Sequence, residues 1–126
     1  MAFLLDSNIF IAYFRSNDFH KDKATNLIES LDSFFITDNV LFEVGTVLLL
    51  KEGPVIAEKA TKFLSENNII TILKLNTQEF LDTVSNFPYQ NSKLSFIDIS
   101  LLILAKNRNL KLISFDEELM KAYEKC

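Results

Sequence analysis

The chain has 126 residues, 48% of them hydrophobic, and carries 17 acidic against 13 basic side chains for a net charge of −4. That length supports one domain with a core of its own and excludes two, and no apolar run approaches the roughly 18 residues needed to span a bilayer. The acidic balance, with a pI near 5.0, excludes attraction of nucleic acid by overall charge and leaves only local basic patches for that purpose.

Phe3-Leu4-Leu5 is a short apolar run ended by Asp6-Ser7-Asn8 and followed by apolar residues from Ile9 to Phe14, which predicts strand, polar turn and helix. A second helix is expected over His20 to Leu31, with Ala24, Leu27, Ile28 and Leu31 on one face, and a second strand over Ser33 to Thr37. The helix that follows, Val40 to Leu50, is apolar on nearly every face and is therefore expected to be buried in the core or in an interface, with Thr37, Asp38 or Asn39 as its cap. Gly45 inside it costs about 1 kcal/mol relative to Ala, which a close approach by another helix, of the same or a second subunit, would explain.

Gly53-Pro54 breaks the chain and starts another helix, with Ala57, Ala60, Phe63 and Leu64 directed inward. Ile69 to Leu75 reads as the third strand. Asn76 and Glu79 form a capping box for a helix presenting Phe80, Leu81 and Val84. Asn86 to Lys93, with Pro88, is the longest loop signal. Ser95-Phe96-Ile97-Asp98 is a second capping box, for a helix through Leu101, Leu102, Leu104 and Ala105. Leu110 to Phe115 is the last strand, leading into Asp116 and a short helix with Leu119, Met120 and Tyr123. Repeated strand-then-helix units imply a single domain over residues 1–126, a three-layer α/β/α fold around a parallel sheet. The sheet has four strands, or five if an edge strand can be drawn from the ten residues after Asp116, which are too few for a helix and a strand together.

Four acids stand out against this frame. Asp6 and Asp116 each end a strand, where open parallel sheets bind their ligands. Glu43 lies on the most apolar helix, where an unpaired carboxylate would lose solvation at a cost of several kcal/mol (roughly, after relaxation). Asp98 alone reads as a cap, and so could Asp6 and Asp116. Together the four make a cluster of like charges that needs a divalent cation with hard oxygen ligands, which points to Mg²⁺ or Mn²⁺ chemistry, with one ion or two.

The segments Leu4-Leu5-Asp6-Ser7-Asn8, Glu43 in its apolar helix, Leu94-Ser95-Phe96-Ile97-Asp98 followed by Ala105, and Ile113-Ser114-Phe115-Asp116 resemble the PIN-domain nucleases, especially the small VapC-type toxins. The resemblance runs along essentially the whole chain. It implies that Asp6, Glu43, Asp98 and Asp116 are catalytic metal ligands, and that Ser7, Asn8, Ser95 and Ser114 orient those ligands or water. It implies an RNA substrate, a small antitoxin that inserts a segment near the acidic pocket, and pairing into a homodimer. Two other readings share the fold: a non-catalytic protein-binding module, and a housekeeping RNA-processing nuclease without an antitoxin. A phosphorelay receiver is disfavoured because Asp6-Ser7-Asn8 lacks a second acid and Leu75-Asn76-Thr77 lacks a phosphoacceptor. An Asp-nucleophile phosphatase would need a second aspartate two residues after Asp6.

Arg15, Lys21 and Lys23, near the connection after the first helix, and Lys93, shortly before Asp98, are the cations placed to touch RNA phosphates, the alternative being an ordinary solvated surface. Lys106, Arg108 and Lys111 are assigned to a helix end, where cations meet the macrodipole. His20 reads as a surface or capping residue, and Phe10, Tyr13 and Phe14 as core. Cys126 is the one cysteine, so no intrachain disulfide forms. The start of the chain does not read as a signal peptide, and the expected compartment is the cytoplasm.

Overall fold

All 126 residues, Met1–Cys126, are described by the computed structural model. Four parallel strands, β1 (Phe3–Leu5), β2 (Phe34–Thr37), β3 (Ile70–Leu73) and β4 (Lys111–Ile113), line up in the order β3-β2-β1-β4. The chain therefore winds outward from β1 in one direction and returns to its other side with the last strand. In register, Leu4 stands opposite Phe35 on one side and Leu112 on the other. The ten residues after Asp116 form only a helix, so the sheet has four strands.

Helices cover both faces. On one, α1 (Ser7–Phe14), α2 (Lys21–Ser30), α3 (Asp38–Glu52) and α4 (Pro54–Glu66) pack among themselves; on the other, α5 (Thr77–Asn86), α6 (Phe96–Asn107) and α7 (Glu117–Glu124) do so. A 3₁₀ turn over Phe87–Tyr89 links α5 to the loop before α6. The core is one cluster that includes Leu4, Phe10, Phe34, Ile36, Leu48, Leu64, Leu101 and Leu112, and Phe10 stacks on Phe34. Tyr13 and Phe14 pack against Phe63 of α4, in keeping with a core reading of the aromatic residues of α1. No helix is long and apolar enough to cross a membrane.

Local signals set the helix starts. Thr37 Oγ1 accepts from the Val40 N–H and caps α3. Both capping boxes close with both of their reciprocal bonds, Asn76 with Glu79 and Ser95 with Asp98. Gly45 is explained within the chain, because a Cβ there would stand 3.1 Å from Thr61 Cγ2 of α4, closer than ordinary packing allows. Gly53, at φ 91°, makes the turn from α3 to α4 in a conformation that side chains disfavour.

Within the single chain, one apolar face of α3 and one of α5 stay open. The sheet and neighbouring helices cover only the Val40, Val44 and Leu48 stripe of α3, while Phe42 is 66% exposed and Leu50 79% exposed. Glu43 is accordingly only half-buried, so desolvation inside an enclosed helix is not what marks it. On α5 the faces are reversed: Phe80, Leu81 and Val84 point outward, while Glu79 and Thr83 are buried.

The buried Glu79 explains that reversal. Its Oε1 accepts from Arg108 Nη2 at 2.7 Å and from the Asn76 N–H, and its Oε2 accepts from Arg108 Nε at 3.0 Å and from Asn107 Nδ2 at 2.7 Å. Arg108 also donates to the Lys74 carbonyl. Arg108 does end α6, as its position suggests, but its guanidinium serves as a fork that clamps α5 to α6 rather than as a solvated cation at a helix terminus.

Candidate active site

Asp6 occupies the gap between β1 and α1, where its backbone is extended and its Oδ1 accepts from the Ser7 N–H at 2.7 Å. Its backbone N–H reaches across to Ile113 O of β4, at 3.0 Å, so the ends of the two central strands are tied together. Ser114, just past β4, donates its hydroxyl to Asp6 Oδ2 at 2.8 Å. Ser114 Oγ itself accepts from Asn8 Nδ2 at 2.9 Å and from the Asp116 N–H at 3.0 Å. Asn8 completes the link by accepting from the Phe115 N–H at 3.1 Å. Ser7, Asn8 and Ser114 thus surround Asp6, and a residue pair more than a hundred positions apart is joined through one serine.

The other acids arrive on helix starts. Asp98 uses Oδ2 to accept from the Ser95 N–H at 3.1 Å, so Ser95 acts through the cap of α6. Asp116 caps α7 through Oδ1, which accepts from Glu118 and Leu119 N–H groups. Glu43 enters from the second turn of α3.

Electrostatics unites these positions. Asp6 is 4% exposed, and burial, followed by the Asp98 and Glu43 charges, pushes its carboxyl from 3.8 up to about 6, against the lowering pull of the Ser114 and Ser7 bonds. Asp98 is raised as well, first by burial and then by Asp116 and Glu43, against its bonds to Ser95. Charge repulsion therefore links Asp6 with Asp98 and Glu43, and Asp98 with Asp116 and Glu43. The ion pairs of the chain, Arg15–Glu52, Lys62–Glu58 and Arg108–Glu79, involve none of them.

This arrangement fits a divalent cation in charge and in chemistry, being all carboxylate oxygen with no protein cation to offset it. It is not a closed ligand shell: no three His, Cys, Asp or Glu side chains stand together in metal-holding geometry. Capping bonds of Asp98 and Asp116 hold one oxygen of each towards its own helix backbone and leave the other free.

A pH dependence follows with a definite sign. Because Asp6 binds its proton more tightly in the folded state, stability falls as pH rises from about 4 to about 6, by about 3 kcal/mol for this group. Thermal unfolding in EDTA is expected to give a higher Tm at pH 5 than at pH 7.5, with the difference reduced by saturating Mn²⁺. A Tm that climbs steadily to pH 7.5 in EDTA would contradict it.

Of the cations near the site, Lys21 donates to the Tyr13 and Arg15 carbonyls at 2.7 and 2.9 Å and so closes the end of α1. The Arg15 guanidinium lies 3.6 Å from Glu52, with its Nε buried and without a hydrogen-bond partner. Lys23 and Lys93 are exposed. Phe19 was passed over in the sequence, although an aromatic residue inside the polar run Ser16 to Lys23, with no apolar partner at helical spacing, is a signal that could have singled it out.

The family model for the PIN domain matches residues 3–125. No curated protein sequence matches the chain. Among solved structures it is similar to the Mycobacterium tuberculosis toxin VapC20, described as cleaving the sarcin–ricin loop, with 16% identity and a TM-score of 0.88 over 97% of this chain and 95% of that one. It is similar to Neisseria gonorrhoeae FitAcB, with 16% identity and a TM-score of 0.70 over 98% and 94% of the two chains. Rickettsia felis VapBC2, bound to a DNA fragment from their promoter, gives 18% identity and a TM-score of 0.72 over 96% and 92%. At such identities the likeness establishes the fold alone.

Proposed function

From the premise that this chain belongs to the PIN-domain family, we propose that it is a Mg²⁺- or Mn²⁺-dependent endoribonuclease, acting as the toxin of a toxin–antitoxin pair. The observation that carries this reading is the repulsion that couples Asp6 to Asp98 and Glu43, and Asp98 to Asp116 and Glu43, with no protein cation paired to any of the four. These four residues would hold the cation. A divalent ion bound by carboxylates supplies an activated water and charge compensation at a scissile phosphate.

The chain's own residues prepare that site. Ser114 and the Ser7 N–H fix both oxygens of Asp6, and Asn8 locks the Ser114 loop through the Phe115 N–H, so the deepest carboxylate is oriented beforehand. Asp98 and Asp116 each keep one oxygen outside their capping bonds. Lys23 and Lys93, both exposed, are the cations assigned to RNA phosphates, while Lys21 is engaged with the Tyr13 and Arg15 carbonyls and Arg15 faces Glu52.

Cleavage of single-stranded and stem-loop RNA by protein free of contaminating ribonuclease tests the reading. Activity is expected with Mn²⁺ or Mg²⁺ and is expected to vanish in EDTA; robust cleavage in EDTA would sink it. The open spacing of the acids favours one competing reading, a protein-binding module of the same fold. Calorimetric titration with Mn²⁺ separates the two, since a scaffold has no reason to bind it through these positions.

Pairing is part of the same proposal. Phe42, Leu49 and Leu50 on α3 and Val55 on α4 leave an apolar shoulder open, next to a shallow groove of about 400 Å³ lined by Leu41, Gly45, Ala57 and Thr61. A two-fold contact through this shoulder would leave both acidic sites free. Light scattering at micromolar concentration is expected to give the mass of a dimer, and Leu50→Lys the mass of a monomer. A monomeric mass for the unaltered chain over a wide concentration range would remove the dimer and leave the nuclease reading intact.

A further inference from the structure

The geometry points to a base-stacking subsite for single-stranded nucleic acid at the rim of the acidic pocket, built from Phe19, His20 and Phe115 with Lys23 beside them. Phe19 lies in the connection between α1 and α2 and is 94% exposed, so both faces of its ring are open to solvent. It meets His20 edge-on, with ring centroids 4.9 Å apart at 84°. His20 in turn lies flat on Phe115, at 4.7 Å and 28°. Lys23 Nζ stands 5.4 Å from the centroid of the Phe115 ring.

This ladder is anchored in the site. The Phe115 N–H donates to Asn8, and Phe115 lies between Ser114, whose hydroxyl donates to Asp6, and Asp116 itself. Three rings and an ammonium group therefore lead from the surface to the residue between two of the pocket's polar groups. An exposed aromatic ring at the outer end of a stack whose inner ring carries an ammonium group beside it suits a flat heterocycle attached to a phosphate, since any base offers a π-face and its phosphate finds the ammonium. Ser16, Asn17, Asp18 and Asp22 flank Phe19 and His20 in the sequence, which disfavours an apolar protein segment, and one Asp18 oxygen is already bound to the His20 N–H.

The nucleic-acid identity of the ligand rests on the nuclease reading, so the test separates the two. The probe is a single-stranded ten-nucleotide RNA with 2-aminopurine at each position in turn, titrated in EDTA with the full chain so that binding is read without cleavage. Quenching at one or two positions is expected, and Phe19→Ala is expected to remove that quenching and weaken binding about tenfold or more. Phe19→Tyr should retain both, and Lys23→Gln should lower the salt dependence of binding by about one phosphate contact. Phe19 packs into no core, so circular dichroism should show the alanine variant fully folded.

Unchanged quenching and affinity in Phe19→Ala would overturn the subsite, and so would a failure of the unaltered chain to bind the probe at all. Cleavage with Mn²⁺ is measured in parallel. A chain that binds and quenches through Phe19 yet never cleaves supports the subsite and removes the nuclease reading. A chain that cleaves while Phe19→Ala binds as before does the reverse.

Discussion

Asp98→Asn is expected to lower Mn²⁺-dependent RNA cleavage on the order of 10²- to 10³-fold, the size of loss that follows removal of one prearranged charged or polar group from an active site. The substitution is conservative for the fold. An amide oxygen can still accept from the Ser95 N–H, and the Asp98 N–H still donates to Ser95 Oγ, so the start of α6 keeps its cap. What disappears is one of several charges that repel one another, since Asp98 feels Asp116 and Glu43 and itself raises Asp6. Melting in EDTA should therefore be equal to or above that of the unaltered chain, and the rise in Tm on adding Mn²⁺ should shrink, because a ligand stabilises only in proportion to its binding of the folded state. Retention of full activity, or an undiminished Mn²⁺ shift, would remove Asp98 from the site.

Arg108→Ala is expected to cause the largest loss of stability, about 3 kcal/mol, because it leaves Glu79 charged and buried without its partner. For a domain of this size that corresponds to a fall in Tm of roughly 10 °C. The pH profile distinguishes the clamp from simple loss of packing. The Arg108 guanidinium, helped by the Asn76 N–H and Asn107, holds the Glu79 carboxyl at about 2 rather than its ordinary 4.5. A folded-state value below the unfolded one means stability that is complete above about pH 4.5 and lost as pH falls towards 2. With the guanidinium about a third exposed, screening reduces the full linkage to about 1–2 kcal/mol over that window. The acid limb should flatten in Arg108→Ala. In the double variant Glu79→Gln, Arg108→Met, part of the lost stability should return. An alanine variant with an unchanged Tm and acid limb would mean that the clamp is ornamental. Asp6 acts in the opposite sense between pH 4 and 6, so metal-free protein should be most stable near pH 4 to 4.5.

Much of this was legible in the residues. Capping boxes depend on neighbours three positions apart, which is why Asn76 with Glu79 and Ser95 with Asp98 were readable before any fold was known, whereas the cap of α3 was narrowed only to Thr37, Asp38 or Asn39 and the structure selects Thr37. Periodicity shows which residues share a helix face, but not whether anything covers that face. That is why the outward Phe42 and Leu50 of α3 and the outward Phe80 and Leu81 of α5 ran against the pattern. Glu79 illustrates the limit: its capping role was local and visible, whereas its pairing with Arg108, 29 positions away, depended on how two helices meet. The acids Asp6 and Asp116 could be placed at strand ends, yet the Ser114 bridge between them depended on β4 returning beside β1.

That return has a consequence for a chain made from its first residue to its last. One edge of β1 stays unpaired until Lys111 to Ile113 arrive, and Ser114 and Asp116 follow only then. A growing polypeptide can assemble α1 to α4 over one face while the fourth acid of the pocket does not yet exist. Completion of the proposed site therefore follows the pairing of β4, and any nascent chain that stops short of Asp116 carries an incomplete set of the four carboxylates.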